Sequence, residues 1–253
     1  NMWVVSLGGT VSVLRASDGA HVMTPTVSSG SSAIAFDGTN MWVMNNNDGI
    51  VSVLRASDGA HVMTPTVGSY PSDIAFDGAN MWVTNAGDGA VSVLRASDGA
   101  HVMTLTVDGA SSIAFDGTNM WVMNGSDGTV SVLRASDGAH VMTPTVGSAS
   151  IDIAFDGANM WVANPLSDTV TVLRASDGTR VMTLDVGDYP WGIAFDGANM
   201  WVTNDWDGTV SVLRASDGSL VTTLTVGRYP QEMAFDGANM WIVNFGSGAV
   251  SKR

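Results

Sequence analysis

The chain has 253 residues, of which 45% are hydrophobic and only 13% charged, with a net charge of −14 and no cysteine. So much apolar content with so little charge predicts a buried core rather than disorder. The evenly spread acidity disfavours nucleic acid and anionic membranes as partners, and the lack of Cys excludes disulfides, thiol catalysis and cysteine-ligated metals.

No apolar run reaches the roughly 18 residues that a membrane span needs. No signal peptide is visible, and the chain opens at Asn1 without an initiator Met, which reads as a processed form or a partial sequence.

From the first residues onward one unit recurs. Trp3, Trp42, Trp82, Trp121, Trp161, Trp201 and Trp241 follow one another at intervals of 39 or 40 residues, each in Asn-Met-Trp. Ala-Phe-Asp-Gly precedes six of them and Leu-Arg-Ala-Ser-Asp-Gly follows six. The repeats start near residues 1, 40, 80, 119, 159, 199 and 239, the last being partial, and span a single domain over 1–253.

One unit reads as four short strands. Strand A is Asp73–Phe76, strand B Asn80–Thr84, strand C Val91–Arg95 and strand D His101–Val107. Val, Ile, Thr, Trp and Phe dominate them, which suits strands and is too short for helices. Asp77-Gly78, Asp88-Gly89 and Asp98-Gly99 separate them, and Asp-Gly favours tight hairpins because Gly accepts positive φ. The unit is therefore an antiparallel meander. Strands B and C are apolar on both faces, so each meander needs a neighbour on each side. Radial stacking of blades supplies both, which makes the expected fold all-β: a β-propeller of four-stranded antiparallel blades.

The stretch Val67 to Asn85, followed by Asp-Gly-Ala-Val-Ser-Val-Leu, resembles the YVTN-type β-propeller repeat. The resemblance covers essentially the whole chain. It implies the propeller fold but leaves function open, since that family spans surface-layer proteins, secreted binding modules and some enzyme relatives.

Seven B and seven C segments against six A and six D segments leave two closures open. A seven-bladed propeller uses every B and C strand and is preferred. In the six-bladed alternative the last A strand joins the first B-C-D, which strands Met240, Trp241 and Ile242. Unpaired terminal strands could also complete a neighbouring molecule.

Comparison of the repeats locates the variation. The A–B and C–D turns barely change. The B–C loops differ, as in Asn45-Asn46-Asn47, Pro165-Leu166-Ser167 and Asp205-Trp206-Asp207, and so do the D–A loops, as in Ser69-Tyr70-Pro71 and Arg228-Tyr229-Pro230. In a meander these two loop classes share one end. The non-repeated aromatics Tyr70, Tyr189, Trp191, Trp206, Tyr229 and Phe245 fall in them, beside Asp205 and Arg228. Flat rings among hydrogen-bonding groups are what a recognition surface uses, and solvent-exposed drift is the alternative.

Asp73, Asp152 and Glu232 share one position before strand A on alternate repeats. Around a channel mouth they could hold a hard cation such as calcium; scattered charge around water is the plainer reading, and no cofactor is expected. Asn45-Asn46-Asn47-Asp48-Gly49 serves as a hairpin without metal. His21, His61, His101 and His140 stand at one repeated position and read as half-exposed strand residues, and each repeated Arg is expected to pair with an Asp of its turn.

Three functions compete. The first is a non-catalytic binding or adhesion module for protein, peptide or glycan, placed extracellularly, in the periplasm or at the cell surface. The second is a structural subunit that self-associates through incomplete terminal strands. The third, an enzyme, is not expected. The family includes a streptogramin lyase type whose His and acid pattern has no counterpart here.

Overall fold

The computed structural model describes residues 1–125 and 127–253. Among the described residues twenty-six strands form seven antiparallel sheets. The first sheet is β1 (Met2–Ser6), β2 (Thr10–Leu14) and β3 (His21–Met23). The second is β4 (Ser31–Phe36), β5 (Asn40–Asn45), β6 (Ile50–Arg55) and β7 (His61–Met63), and the third β8 (Pro71–Phe76), β9 (Asn80–Asn85), β10 (Ala90–Arg95) and β11 (His101–Thr106). The fourth takes β12 (Ala110–Phe115), β13 (Asn119–Asn124), β14 (Val130–Arg134) and β15 (His140–Met142). The fifth takes β16 (Asp152–Phe155), β17 (Asn159–Asn164), β18 (Thr169–Arg174) and β19 (Arg180–Asp185). The sixth is β20 (Pro190–Phe195), β21 (Asn199–Asn204), β22 (Thr209–Arg214) and β23 (Leu220–Thr225). The seventh is β24 (Pro230–Phe235), β25 (Met240–Asn244) and β26 (Ala249–Lys252).

These sheets are the seven blades of a β-propeller. The first lacks strand A and the last lacks strand D. Because β24 pairs with β25 and β1 with β2, the six-bladed count fails and Met240, Trp241 and Ile242 have a blade of their own. The chain divides into two compact units, one of Asn1–Asn124 with Arg134–Ala139 and one of Gly125–Leu133 with His140–Arg253.

Within each unit the doubly apolar strands explain the packing. In the first, Trp42, Val51 and Val53 of one blade pack on Ile74, Met81, Val83 and Leu94 of the next. In the second, Trp161, Val170 and Val172 pack in the same way on Ile193, Met200, Val202 and Leu213. Trp42, Trp82, Trp121 and Trp161 are fully buried. Each Val, Leu or Met so buried contributes about 1.5–3 kcal/mol.

The strand bounds move by one or two residues from those read in the sequence, except in D. In the repeats with Leu at the fifth D position, D runs six residues, as in His101–Thr106. Where Pro25, Pro65 or Pro144 stands there, D stops after three residues and leaves one isolated bridge, such as Ile50↔Thr66. Proline has no N–H to give to the ladder.

The two ends of each blade are tied separately. At the constant end the C–D turn donates to the A–B turn: Ala96 N–H to the Ala79 carbonyl at 3.0 Å, and Ala175 N–H to that of Ala158 at 3.1 Å. At the variable end the B–C loop donates to the D–A loop: Ala86 N–H to the Tyr70 carbonyl at 3.0 Å, and Phe245 N–H to that of Tyr229 at 2.9 Å. The expected pairing of turns by end is thus present in both units.

The constant end is built on one clasp. Asp156 Oδ1 accepts the backbone N–H of Ala158 (2.7 Å) and Asn159 (2.6 Å), while Oδ2 accepts Asn159 Nδ2 (3.2 Å) and the Trp161 indole N–H (2.7 Å). Asp37, Asp77, Asp116, Asp196 and Asp236 hold Trp42, Trp82, Trp121, Trp201 and Trp241 in the same way. At Asp37 burial works to raise the carboxyl, but the N–H groups of Asn40, Trp42 and Thr39 outweigh it and hold it below the ordinary range. The Trp241 indole, ahead of the turn amides, holds Asp236 down to about 2. The C–D turns add six exposed pairs such as Arg174–Asp177 at 3.0 Å, which contribute little each.

Replacing Asp156 by Ala orphans four donors and is expected to cost about 2–3 kcal/mol, read as a lower urea midpoint. Arg174→Ala, which removes an exposed pair and leaves the Asp177 turn hydrogen bonds in place, should leave that midpoint nearly unmoved.

A carboxylate whose folded pKa is depressed stabilises above its unfolded pKa, and that stability is lost as pH falls through the folded value. The melting temperature should therefore hold down to about pH 4 and fall between about pH 4 and 2. Asp236→Asn should make the fall shallower.

Candidate functional site

The variable end carries the candidate site, and its residues are held by two devices repeated along the chain. The first is a buried Asn three residues after the repeated Trp. Asn204 Oδ1 accepts the Gly187 N–H at 3.1 Å, and its Nδ2 donates to Thr209 Oγ1 and Ser211 Oγ, both at 2.9 Å. Asn85 and Asn244 likewise accept from Gly68 and Gly227. Each such Asn locks a D–A loop to a B–C loop. Sequence reasoning passed over these residues, although the signal was present: Asn45, Asn85, Asn124, Asn164, Asn204 and Asn244 recur at one position.

The second device is a close approach of neighbouring A strands. Asp73 Oδ2 accepts the Ser112 hydroxyl and the Ile113 N–H, both at 2.9 Å, while Oδ1 accepts the Ile74 N–H at 2.8 Å. Asp152 Oδ2 accepts the Ile193 N–H of the next blade at 2.8 Å. Each acid faces a small residue on that blade, Ser112 or Gly192. A Cβ at Gly192 would strike the Gln231 carbonyl of the blade beyond. Burial pushes the Asp73 carboxyl up, and those hydrogen bonds oppose it only in part.

These two members of the proposed cation set thus bridge blades, and Glu232 is exposed. Among the described residues, no group of three or more His, Cys, Asp or Glu is placed to share a metal ion. The four histidines are exposed, each with Nε2 at 2.7–2.8 Å from a Thr hydroxyl three residues on, as in His101 with Thr104.

Of the aromatics named from the sequence, the second unit brings several together. The rings of Tyr189 and Trp206 stack at 4.6 Å between centroids and 3° between planes, and Trp191 lies tilted at 6.1 Å from Tyr189. Trp191 stands in strand β20 rather than in a loop, because the strand begins at Pro190. Trp206 is 63% exposed. Beside it lies a hollow of about 510 Å³, lined by Trp206, Asp207, Arg228, Tyr229 and Ser247 among others. The Arg228 guanidinium sits over the Tyr229 ring at 5.5 Å. Phe245 opens a single 3₁₀ turn and is exposed. Tyr70 belongs to the first unit, where its ring lies against Gly87. A second hollow, of about 660 Å³, opens at the constant end, lined by repeat residues such as Asp156, Asn159 and Arg214.

Asp205 is only 6% exposed, and among the described residues its Oδ1 has no hydrogen-bond partner. Burial raises its pKa, opposed by the Gln231 side chain. Its backbone N–H donates to the Tyr189 carbonyl at 3.0 Å, which ties the two loops that carry the stacked rings.

Backbone strain marks the same loops. Tyr70, Tyr189 and Tyr229 have φ of 49°, 56° and 51° at a D–A position where Gly30 and Gly109 occupy other repeats. A bulky residue in the left-handed region costs of order 1 kcal/mol or more and tends to persist at functional sites.

No family model matches the sequence, and none of the curated proteins does. Solved structures resemble it in fold. Hydrazine synthase of Kuenenia stuttgartiensis has a TM-score of 0.82 at 19% identity over 97% of this chain and 89% of that one. The computationally designed Ika8 protein has a TM-score of 0.78 at 18% identity over 98% and 78%. A functionally unknown protein from Desulfotomaculum acetoxidans has 0.79 at 16% over 98% and 93%. At these identities the likeness establishes the propeller fold alone.

Tyr70 is 68% exposed, so Tyr70→Gly gives up little burial while releasing the strained φ. We expect no loss of stability and a gain of up to about 1 kcal/mol in chemical denaturation.

Proposed function

We propose that the chain is a non-catalytic binding module that presents its B–C and D–A loops to a protein, peptide or glycan. The observation that carries this reading is the stacked Tyr189–Trp206 pair at the end of the blade where the repeats diverge, with Tyr189 half-buried and Trp206 exposed. A stacked ring open to solvent on loops tied to each other by backbone hydrogen bonds gives contact area at low entropic cost. The left-handed tyrosines support it too, since the fold tolerates a strained Tyr where Gly would serve. The histidines, each engaged with its Thr at a repeated position, fit a scaffold better than an acid–base site.

Screening on glycan and peptide arrays tests the proposal. A specific ligand should lose at least tenfold in signal with Trp206→Ala and with Tyr189→Ala, and keep it with Arg174→Ala at the constant end. Ligands indifferent to both loop substitutions would refute it.

A further inference from the structure

Resting on that binding reading, we infer that the Tyr189–Trp206 platform takes a cationic side chain, that of an arginine in an exposed peptide segment of a partner protein. Two independent features converge there. The first is the platform itself: parallel rings 4.6 Å apart with the outer one largely open to solvent. A guanidinium stacks on such a face through the negative charge of the ring's π-cloud, and indole is the strongest partner for it.

The second is uncompensated negative charge around the platform. Tyr189 donates its N–H to Asp168 Oδ1 at 3.0 Å, and Asp188 donates its N–H to Asp207 Oδ2 at 2.8 Å, so three carboxylates gather around one loop. None of the six Arg–Asp ion pairs uses them. Asp188 is raised by loss of hydration, by the charges of Asp168 and Asp207, and by a hydrogen bond with the Asp168 side chain. The cation that lines the same hollow, Arg228, is engaged over the Tyr229 ring at 5.5 Å.

The three carboxylates at the platform, Asp168, Asp188 and Asp207, call for donors. A carboxylate offers acceptors only, whereas a guanidinium offers five N–H donors. A neutral sugar could stack its C–H face on the rings and donate from its hydroxyls, but it would leave the carboxylate charge uncompensated. The charge decides for the cation.

The test uses the whole chain and three probes: a blocked Gly-Arg-Arg-Gly peptide, the same peptide with citrulline for arginine, and cellotetraose. Affinity is read by calorimetry and location by the Trp206 indole NMR signal. The arginine peptide should shift that signal and bind at least tenfold more tightly than the citrulline peptide. Asp188→Asn and Trp206→Ala should each weaken it at least tenfold, while Asp177→Asn, which removes one charge at the constant end, changes it less than twofold.

Equal binding of the citrulline peptide, or an equal effect of Asp177→Asn, would overturn the inference. If cellotetraose or the citrulline peptide shifts Trp206 and the arginine peptide does not, the cation assignment falls and the binding module stands. If none of the three shifts Trp206, the cation assignment falls and the array screen alone judges the module.

Discussion

Each repeat that has an A–B turn rests on one charge-assisted hydrogen bond, from the indole N–H of the repeated Trp to the Asp five residues before it, at 2.7 Å in all six copies. The same carboxylate closes the A–B turn through two backbone amides and an Asn side chain, as at Asp156. A buried indole needs an acceptor, and a tight turn needs its amides satisfied. One aspartate meets both needs, which is why Phe-Asp-Gly and Asn-Met-Trp travel together.

With the constant end fixed in this way, the other end is free to differ. The loops there are tied by backbone hydrogen bonds and by the buried Asn, neither of which specifies the loop residue itself. Gly87, Trp206 and Gly246 can thus occupy one loop position, and the three tyrosines sit beside them. The rings of Tyr70 and Tyr229 lie against Gly87 and Gly246; Tyr189 meets Trp206 instead. The sixth blade is where this geometry produces an aromatic stack.

Most of the fold was legible because a forty-residue period repeats the same statement, and each repeat corrects the ambiguity of the others. The seven-blade count followed from counting B and C segments, and the turn pairing from alternation in a meander. The shortening of strand D by Pro65 and its equivalents was open to sequence reasoning and overlooked. The exposed Arg–Asp pairs were foreseen because each repeated Arg stands just ahead of a Ser-Asp-Gly turn. The Asp73 and Asp152 bridges were less accessible, since they depend on the spacing between neighbouring A strands and on what stands opposite, Ser112 or Gly192. The stacking of Tyr189 on Trp206 lay in the adjacency of their loops, but its 3° planarity and the orphaned oxygen of Asp205 are properties of packing.

Hydrogen exchange at the individual indoles measures the clasp most directly. The account predicts slow, comparable exchange for the N–H of Trp42, Trp82, Trp121, Trp161, Trp201 and Trp241, and exchange near the free-indole rate for exposed Trp206. Exchange of the six repeated indoles as fast as that of Trp206 would contradict it.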